Sequence, residues 1–178
     1  PLKLEEVSTA DDLRAKITNG KSVKLMADIS ITSTLEIAKS LTLDLNGHVL
    51  KMTGSGSVLR VKKDPHPATL TITDSSAAKS GTITGGTGTK EEYWTHYTLG
   101  GAVYLEEGTT LKLEGGTITG SSSDSSVFIR TGATFVMTGG TITGETVGVH
   151  NNVGTFTMTG GRITGCSDRG VYMFNGSM

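Results

Sequence analysis

The sequence predicts an all-β protein: a right-handed parallel β-helix with three strands per coil, about 21–24 residues per coil, and a short N-terminal capping helix. Two observations carry this prediction. A short motif recurs at a nearly constant interval, and apolar residues alternate with polar ones inside each interval. Glycine supplies 25 of the 178 residues and proline only 3. Such a composition is typical of many short strands joined by tight corners.

The recurring motif is Gly-Gly-Thr-Ile-Thr-Gly. It stands at 115–120 and 139–144, with the variant GGRITG at 160–165 and SGTITG at 80–85. The start-to-start intervals are 24 and 21 residues, and the earlier interval is 35, which indicates an insertion at about 86–100. An interval of this length suits one coil of three short strands in a stacked repeat protein.

Each coil divides into a first, a second and a third strand. In all three, apolar and polar residues alternate with period two, so one side of the strand is predicted to be buried and the other exposed to solvent. First strands are predicted at 101–106, 126–130, 147–150 and 170–174. Their inward residues are predicted to be Val103, Leu105, Val127, Ile129, Val147, Val149, Val171 and Met173. The buried columns of the second strand are Leu43, Leu70, Leu111, Phe135 and Phe156, then Leu45, Ile72, Leu113, Met137 and Met158. That of the third strand is Ile83, Ile118, Ile142 and Ile163.

Stacking completes this core, because one coil cannot bury its own apolar side. Equivalent residues should lie about 4.8 Å apart between coils. The glycine pairs at 115–116, 139–140 and 160–161 are predicted to form corners where a Cβ would be penalised.

The segment at about 9–19 predicts the capping helix. Capping residues precede it, acidic residues fill its first turn, Leu13 and Ile17 lie four apart, and Asn19-Gly20 ends it. We expect this helix to cover the apolar end of the first coil, since an open solenoid end needs protection. One domain is expected over 1–178, with coils from about 22 onward. The Pro1-Leu2 start and the lack of a cap at the other end, 176–178, predict a fragment of a longer protein.

Charge and cysteine content exclude several partners and sites. The net charge is −1, which gives no electrostatic reason to expect nucleic acid or an anionic membrane as a partner. No apolar run is long enough for membrane insertion. The single cysteine, Cys166, cannot form an internal disulfide and has no metal-ligand spacing around it. We therefore predict no metal site and no cofactor.

The predicted capping helix, the segment SVKLMADISITSTLEIAKSLTLDLNGHVL at 22–50 and the recurring TFTMTGGRITG-type coils together carry a resemblance. They resemble the pectin-lyase-like right-handed β-helix family, and more closely the β-helix domains of bacterial surface proteins, over nearly the whole chain. The resemblance implies a bacterial secreted or cell-surface protein. It does not decide the activity, because this scaffold carries lyases, hydrolases, adhesins and stalks alike.

Lyases of that family hold Ca²⁺ on several carboxylates beside an Arg or Lys base, and its hydrolases pair carboxylates on one face. Neither arrangement is visible here. The carboxylates of interest are scattered: Asp44, Asp64, Asp74, Glu106, Glu114, Asp124 and Asp168. We therefore predict no catalytic residue and a non-enzymatic extracellular module, a stalk or adhesin segment that binds glycans.

Two alternatives stay open. A polysaccharide-processing enzyme (lyase or glycosidase) or its accessory domain would need at least two carboxylates within about 10 Å of each other in a groove along the first strand. The remote alternative is an ice-binding solenoid built on the Thr-x-Thr units of the third strand. Threonine is favoured on exposed strands by β-propensity alone, and Arg162 interrupts the array.

The outward side of the first strand is the candidate binding surface. Its predicted outer columns are Arg60, Tyr104, Phe128, Gly148 and Tyr172, then Lys62, Glu106, Arg130, His150 and Phe174. Aromatic rings beside charges form a platform for sugar rings. The insertion enters on this side. The predicted ligand-binding residues are Tyr93, Trp94, His96, Tyr97, Tyr104, Phe128, Arg130, His150 and Tyr172, and the predicted partner is a polysaccharide or a host surface glycan or protein.

A second interpretation of the same insertion is open. Its aromatic residues would fold down over apolar surface on the flank of the solenoid and bind nothing. Under the first interpretation Trp94 is an exposed contact, and under the second it is part of a cover.

Overall fold

The computed structural model of the chain describes residues 3–91, 94–120, 123–144 and 146–175, with backbone alone at 91 and 94–97. Within these residues the fold is an all-β right-handed parallel β-helix of six coils, as predicted. Each coil contributes one strand to each of three parallel sheets.

The helix α1 is Ala10–Thr18. The strands are, in chain order, β1 (Glu5–Val7), β2 (Val23–Leu25), β3 (Ile29–Ile31), β4 (Leu35–Ile37), β5 (Leu41–Asp44), β6 (Val49–Met52), β7 (Leu59–Val61), β8 (Thr69–Thr73), β9 (Thr82–Thr84), β10 (Thr89–Glu91), β11 (Trp94–Leu99), β12 (Val103–Leu105), β13 (Thr110–Leu113), β14 (Thr117–Thr119), β15 (Ser125–Ile129), β16 (Thr134–Met137), β17 (Thr141–Thr143), β18 (Val147–Asn152), β19 (Thr155–Met158), β20 (Arg162–Thr164) and β21 (Arg169–Phe174).

The three sheets follow the three strand types. The first sheet has the order β4-β7-β12-β15-β18-β21, the second β1-β2-β5-β8-β13-β16-β19, and the third β3-β6-β9-β14-β17-β20. The insertion between β9 and β12 forms an antiparallel hairpin of β10 and β11, which is a separate two-stranded sheet. We call it the hairpin below.

Inward residues of the three sheets meet in one continuous hydrophobic core. The predicted columns of the third strand pair as expected, for example Ile118 with Ile142. In the first sheet Val103 pairs with Val127 as predicted, but β18 is displaced by two residues, so that Val149 and not Val147 pairs with Val127. In the second sheet one coil is displaced from the prediction. Leu41, not Leu43, pairs with Leu70, and Leu43 pairs with Ile72. The displacement is two residues, so the same face of β5 stays buried.

Glycine pairs make the corners for two different reasons. The second glycine of a pair has a left-handed backbone, as at Gly140 with φ +75°. The first glycine lies against the preceding coil, since a Cβ on Gly139 would stand 2.3 Å from the Glu114 carbonyl oxygen. Both requirements favour glycine over any residue with a side chain.

The two ends of the solenoid differ. At the start, α1 buries Leu13 and Ile17, and Thr9 caps it by accepting a hydrogen bond from the Asp12 backbone N–H at 3.3 Å. The three-residue strand β1, which was not predicted, pairs with β2 and is too short to show periodicity. In the last coil Met158, predicted to be buried, is 41% exposed because β19 lies at the edge of the second sheet.

Candidate functional site on the outer face of the first sheet

The outer face of the first sheet carries one column of aligned side chains. The strand registers place Arg60, Tyr104, Phe128, His150 and Tyr172 in successive coils. The predicted place of Gly148 in this column is therefore wrong, and His150 takes it. The cause is the pairing of β18 with β15, in which Val149 lies opposite Val127, so that His150 follows beside Phe128.

The early half of the column is covered. Tyr104 is 0% and Phe128 2% exposed, and both pack with Leu99 of the hairpin in a small cluster separate from the main core. Their ring centroids are 5.3 Å apart. The prediction that these two rings form an exposed platform is wrong, because Leu99 covers them.

One corner of the solenoid fixes the hairpin in this position. The Thr98 backbone N–H donates to Oδ2 of Asp124 at 2.6 Å, and the Asp124 N–H donates back to the Thr98 carbonyl at 2.8 Å. Next to it, the Gly100 N–H donates to Oγ of Ser125 at 3.0 Å. Since charged acceptors form the stronger hydrogen bonds, Asp124 is the main anchor.

The late half of the column opens into a cleft of about 210 Å³, called here the His150 cleft. Its lining residues are Asp124, Thr146, Val147, His150, Asp168, Arg169 and Tyr172. Backbone bonds between consecutive coils hold its floor together: the Asp168 and Arg169 N–H groups both donate to the Thr146 carbonyl, at 3.0 and 3.2 Å.

The rings of His150 and Tyr172 form the wall of the His150 cleft. The imidazole of His150 meets Phe128 edge-on at 5.1 Å and Tyr172 edge-on at 4.7 Å between ring centroids. His150 is only 8% exposed. Burial lowers the pKa of His150 from 6.5 to about 4, although the charge of Asp124 acts in the opposite direction. The imidazole is therefore neutral at pH 7.

Charged groups stand at the mouth of the cleft. The guanidinium carbon of Arg169 lies 4.8 Å from the ring centroid of Tyr172, and its Nε lies 3.7 Å from Oδ2 of Asp168. Asp124 adds a second carboxylate. With His150 neutral, two carboxylates face one guanidinium in this cleft.

Among the remaining predicted site residues, only the side chain of Arg130 is described. Arg130 follows β15 and is half-buried outside the His150 cleft. Tyr93 lies outside the described residues. Trp94, His96 and Tyr97 belong to β11 by their backbone, and their side chains lie outside the described part of the chain.

Five cleft residues were not predicted from the sequence: Asp124, Thr146, Val147, Asp168 and Arg169. The prediction placed Val147 on the inward side of its strand. It assigned the two aspartates to scattered turns. A signal was present, because positions 124, 146 and 168 are separated by one coil of 22 residues each and so stack in space. Corner positions of a solenoid therefore align across coils in the same way as strand positions.

Other carboxylates serve the scaffold. Asp44 and Asp74 are each 1% exposed, and both accept backbone N–H bonds at corners, for example from Ser75 at 2.8 Å and from Gly81 at 2.7 Å. Glu106 accepts from Arg60 Nε at 2.8 Å and from the Lys63 N–H at 2.8 Å. Burial raises the pKa of Glu106, but these two partners and Lys62 together lower it by more, so the net shift is downward.

Three searches of the chain gave negative results. Within the described residues, no three His, Cys, Asp or Glu side chains stand close enough together to hold a metal ion. No helix in that part of the chain is long and apolar enough to cross a bilayer. No protein-family model, curated protein or solved structure matches this chain.

Proposed function

We propose that this chain is a non-enzymatic binding module of a bacterial secreted or cell-surface protein of the pectin-lyase-like type, a stalk or adhesin segment, and that it holds a saccharide in the His150 cleft. The observation that carries the proposal is the composition of the cleft wall. Aromatic rings, a guanidinium, carboxylates and a hydroxyl converge on a concave surface of a rigid sheet.

A saccharide needs two kinds of contact, and the cleft offers both. The flat C–H face of a sugar ring packs on apolar and aromatic surface, which Tyr172 and Val147 supply. Sugar hydroxyls need donors and acceptors placed around that surface. Asp124 and Asp168 can accept, and the Thr146 hydroxyl can donate or accept.

The scaffold supports binding by staying rigid. The cleft floor consists of three consecutive coils whose backbones are joined by parallel pairing, as in the match of His150 with Tyr172. A preformed site loses little conformational entropy when a ligand arrives. Because each coil adds about 4.8 Å to the length of the solenoid, the same architecture also spaces the site away from whatever carries it.

A glycan array probed with the purified chain tests the proposal, followed by titration of the best ligand. Replacing Tyr172 by Ala should abolish binding, because the ring wall of the cleft is lost. The matched control is Phe174→Ala, which removes a 39% exposed ring from the same strand outside the cleft and should leave affinity unchanged. No binding on the array, or equal loss in both variants, would count against the proposal.

The second candidate is a polysaccharide-processing enzyme, and the convergence of Asp124 and Asp168 on one cleft favours it over an ice-binding solenoid. Incubation with uronate and neutral polysaccharides, with and without Ca²⁺, distinguishes the enzyme from the binding module. Turnover that disappears in Asp168→Asn would establish the enzyme. Binding without turnover supports the module.

A further inference from the structure

The His150 cleft already accommodates one positive charge. The guanidinium of Arg169 stacks 4.8 Å from the ring centroid of Tyr172 and lies 3.7 Å from Asp168, and both charged side chains are about half exposed (53% and 52%). An aromatic face with a carboxylate beside it is the usual surroundings of a bound cation. Arg169 therefore occupies, from within the chain, a place where a ligand cation would be stable.

Arg169 does not neutralise the cleft, because the lining contains two carboxylates and one guanidinium. Asp124 is the second carboxylate of the lining, and the Thr98 N–H and hydroxyl bond only its Oδ2, at 2.6 and 3.3 Å. Among the described residues, none donates a hydrogen bond to its Oδ1. A ligand carboxylate or sulfate would meet two like charges here, and like-charge contact is strongly unfavourable.

We infer that the His150 cleft selects a saccharide with a free, protonated amine, a hexosamine unit, over neutral and anionic sugars. This inference rests on the proposed function, that the cleft holds a saccharide. The ligand ammonium takes the position beside Asp168 and Tyr172, and the half-exposed guanidinium of Arg169 moves out toward solvent. The sugar ring then packs on Val147 and Tyr172, with Asp124 accepting from its hydroxyls.

Because the ligand must displace Arg169, removing this side chain should strengthen binding and not weaken it. If the arginine competes with the ligand amine, Arg169→Gln should raise the affinity several-fold. If the arginine were a ligand contact, the same change would lower the affinity, and the inference would be overturned.

The experiment is calorimetric titration of the chain with three oligosaccharides: oligoglucosamine, its N-acetylated counterpart and oligogalacturonate. The pH is kept above the His150 pKa of about 4 and low enough to protonate the amines. Oligoglucosamine should bind about tenfold tighter than the acetylated form, since one charge-assisted hydrogen bond is worth about that factor. Equal affinity for these two, or tighter binding of oligogalacturonate, would overturn the inference.

Two variants separate a specific cation contact from general attraction. Asp168→Asn should lower the affinity for oligoglucosamine by about tenfold and so abolish its preference over the acetylated form, because the amide keeps an acceptor for hydroxyls but has no charge for the ammonium. The control is Glu107→Gln, because Glu107 is 58% exposed and lies outside the cleft. An equal loss in this control means diffuse electrostatics and overturns the inference. Failure of all three sugars to bind counts against the proposed function itself, whereas binding with the wrong preference removes only the inference.

Discussion

Two halves of one aromatic column behave differently in this molecule. Tyr104 and Phe128 lie in the same register and on the same face as His150 and Tyr172, yet the first pair is sealed under Leu99 and the second pair lines an open cleft. The sheet geometry is the same in both halves. Two features differ: the hairpin covers the earlier coils and ends at the corner of Asp124, and β21, which carries Tyr172, is the edge strand of the sheet.

The difference shows that a ladder of rings on a solenoid does not define a site by itself. Parallel sheets are often buried on both faces. The covered half is buried in this way, because the hairpin packs on its outer face. Where the layer stops, the same kind of residues becomes available to a ligand. The boundary between core and site is then a single carboxylate, Asp124, which anchors the hairpin and lines the cleft.

The largest expected effect tests whether the covered half is core. Phe128→Ala should lower the free energy of unfolding by about 3–5 kcal/mol, because a fully buried ring leaves a cavity between Tyr104, Leu99 and His150. Urea denaturation followed by circular dichroism measures it. A loss below about 1 kcal/mol would mean that the hairpin does not seal this half in solution.

The next effect is a pH dependence of the free energy of unfolding, caused by His150, which lies between the covered and the open half. The folded pKa of His150 is about 4 against an ordinary 6.5, so the neutral ring is favoured in the folded state. Its stabilisation is complete above pH 6.5 and is lost as the pH falls toward 4, at a total of about 3 kcal/mol. His150→Gln should remove this slope. The two profiles are compared by their difference, because Glu106, whose pKa is lowered from 4.5, loses its stabilisation at low pH equally in both proteins. Parallel pH profiles for the two proteins would contradict the assignment.

A smaller and local effect is expected at the anchor. Asp124→Asn keeps an acceptor for Thr98 but removes its charge, so hairpin opening should become easier by about 1–2 kcal/mol. Amide hydrogen exchange at Thr98 and Gly100 reports it. Asp168→Asn is the matched control, since it lines the same cleft without bonding the hairpin and should leave these amides unchanged. Equal exchange in both variants would show that the charge of Asp124 does not hold the hairpin and that its other contacts, such as the Gly100 bond to Ser125, are sufficient.

The sequence predicts the fold well because repetition multiplies a weak signal. One Thr-Ile-Thr unit means little, but three of them and the variant Arg-Ile-Thr align Ile83, Ile118, Ile142 and Ile163 correctly. The displaced coil at Leu41 shows the limit. It had only the alternation to align it, and alternation is unchanged by a shift of two residues.

The site was predicted only in part, for a physical reason. Alternation tells which side of a strand faces out, and it correctly placed Tyr104, Phe128 and Tyr172 on the outer face. Alternation cannot predict whether another segment packs on the outer face, because this depends on how the hairpin, which is not part of the repeat, folds against the sheet. Pairing across coils likewise decides whether Gly148 or His150 enters the column, and corner residues such as Asp168 have no periodic pattern within their own coil.

The smallest expected change in stability is also the one that separates the two halves most directly. Tyr172→Ala removes a half-buried ring from the open half, together with its edge contact to His150 and its stacking with Arg169. We expect the free energy of unfolding to fall by about 1 kcal/mol, because solvent already reaches this ring and the cleft needs no cavity to be filled. The same urea titration used for Phe128→Ala measures it, so the two values are directly comparable. Similar losses for the two variants would make the late half ordinary core. A small loss in Tyr172→Ala beside a large one in Phe128→Ala means that the open ring is kept for something other than stability, as a contact for a ligand requires.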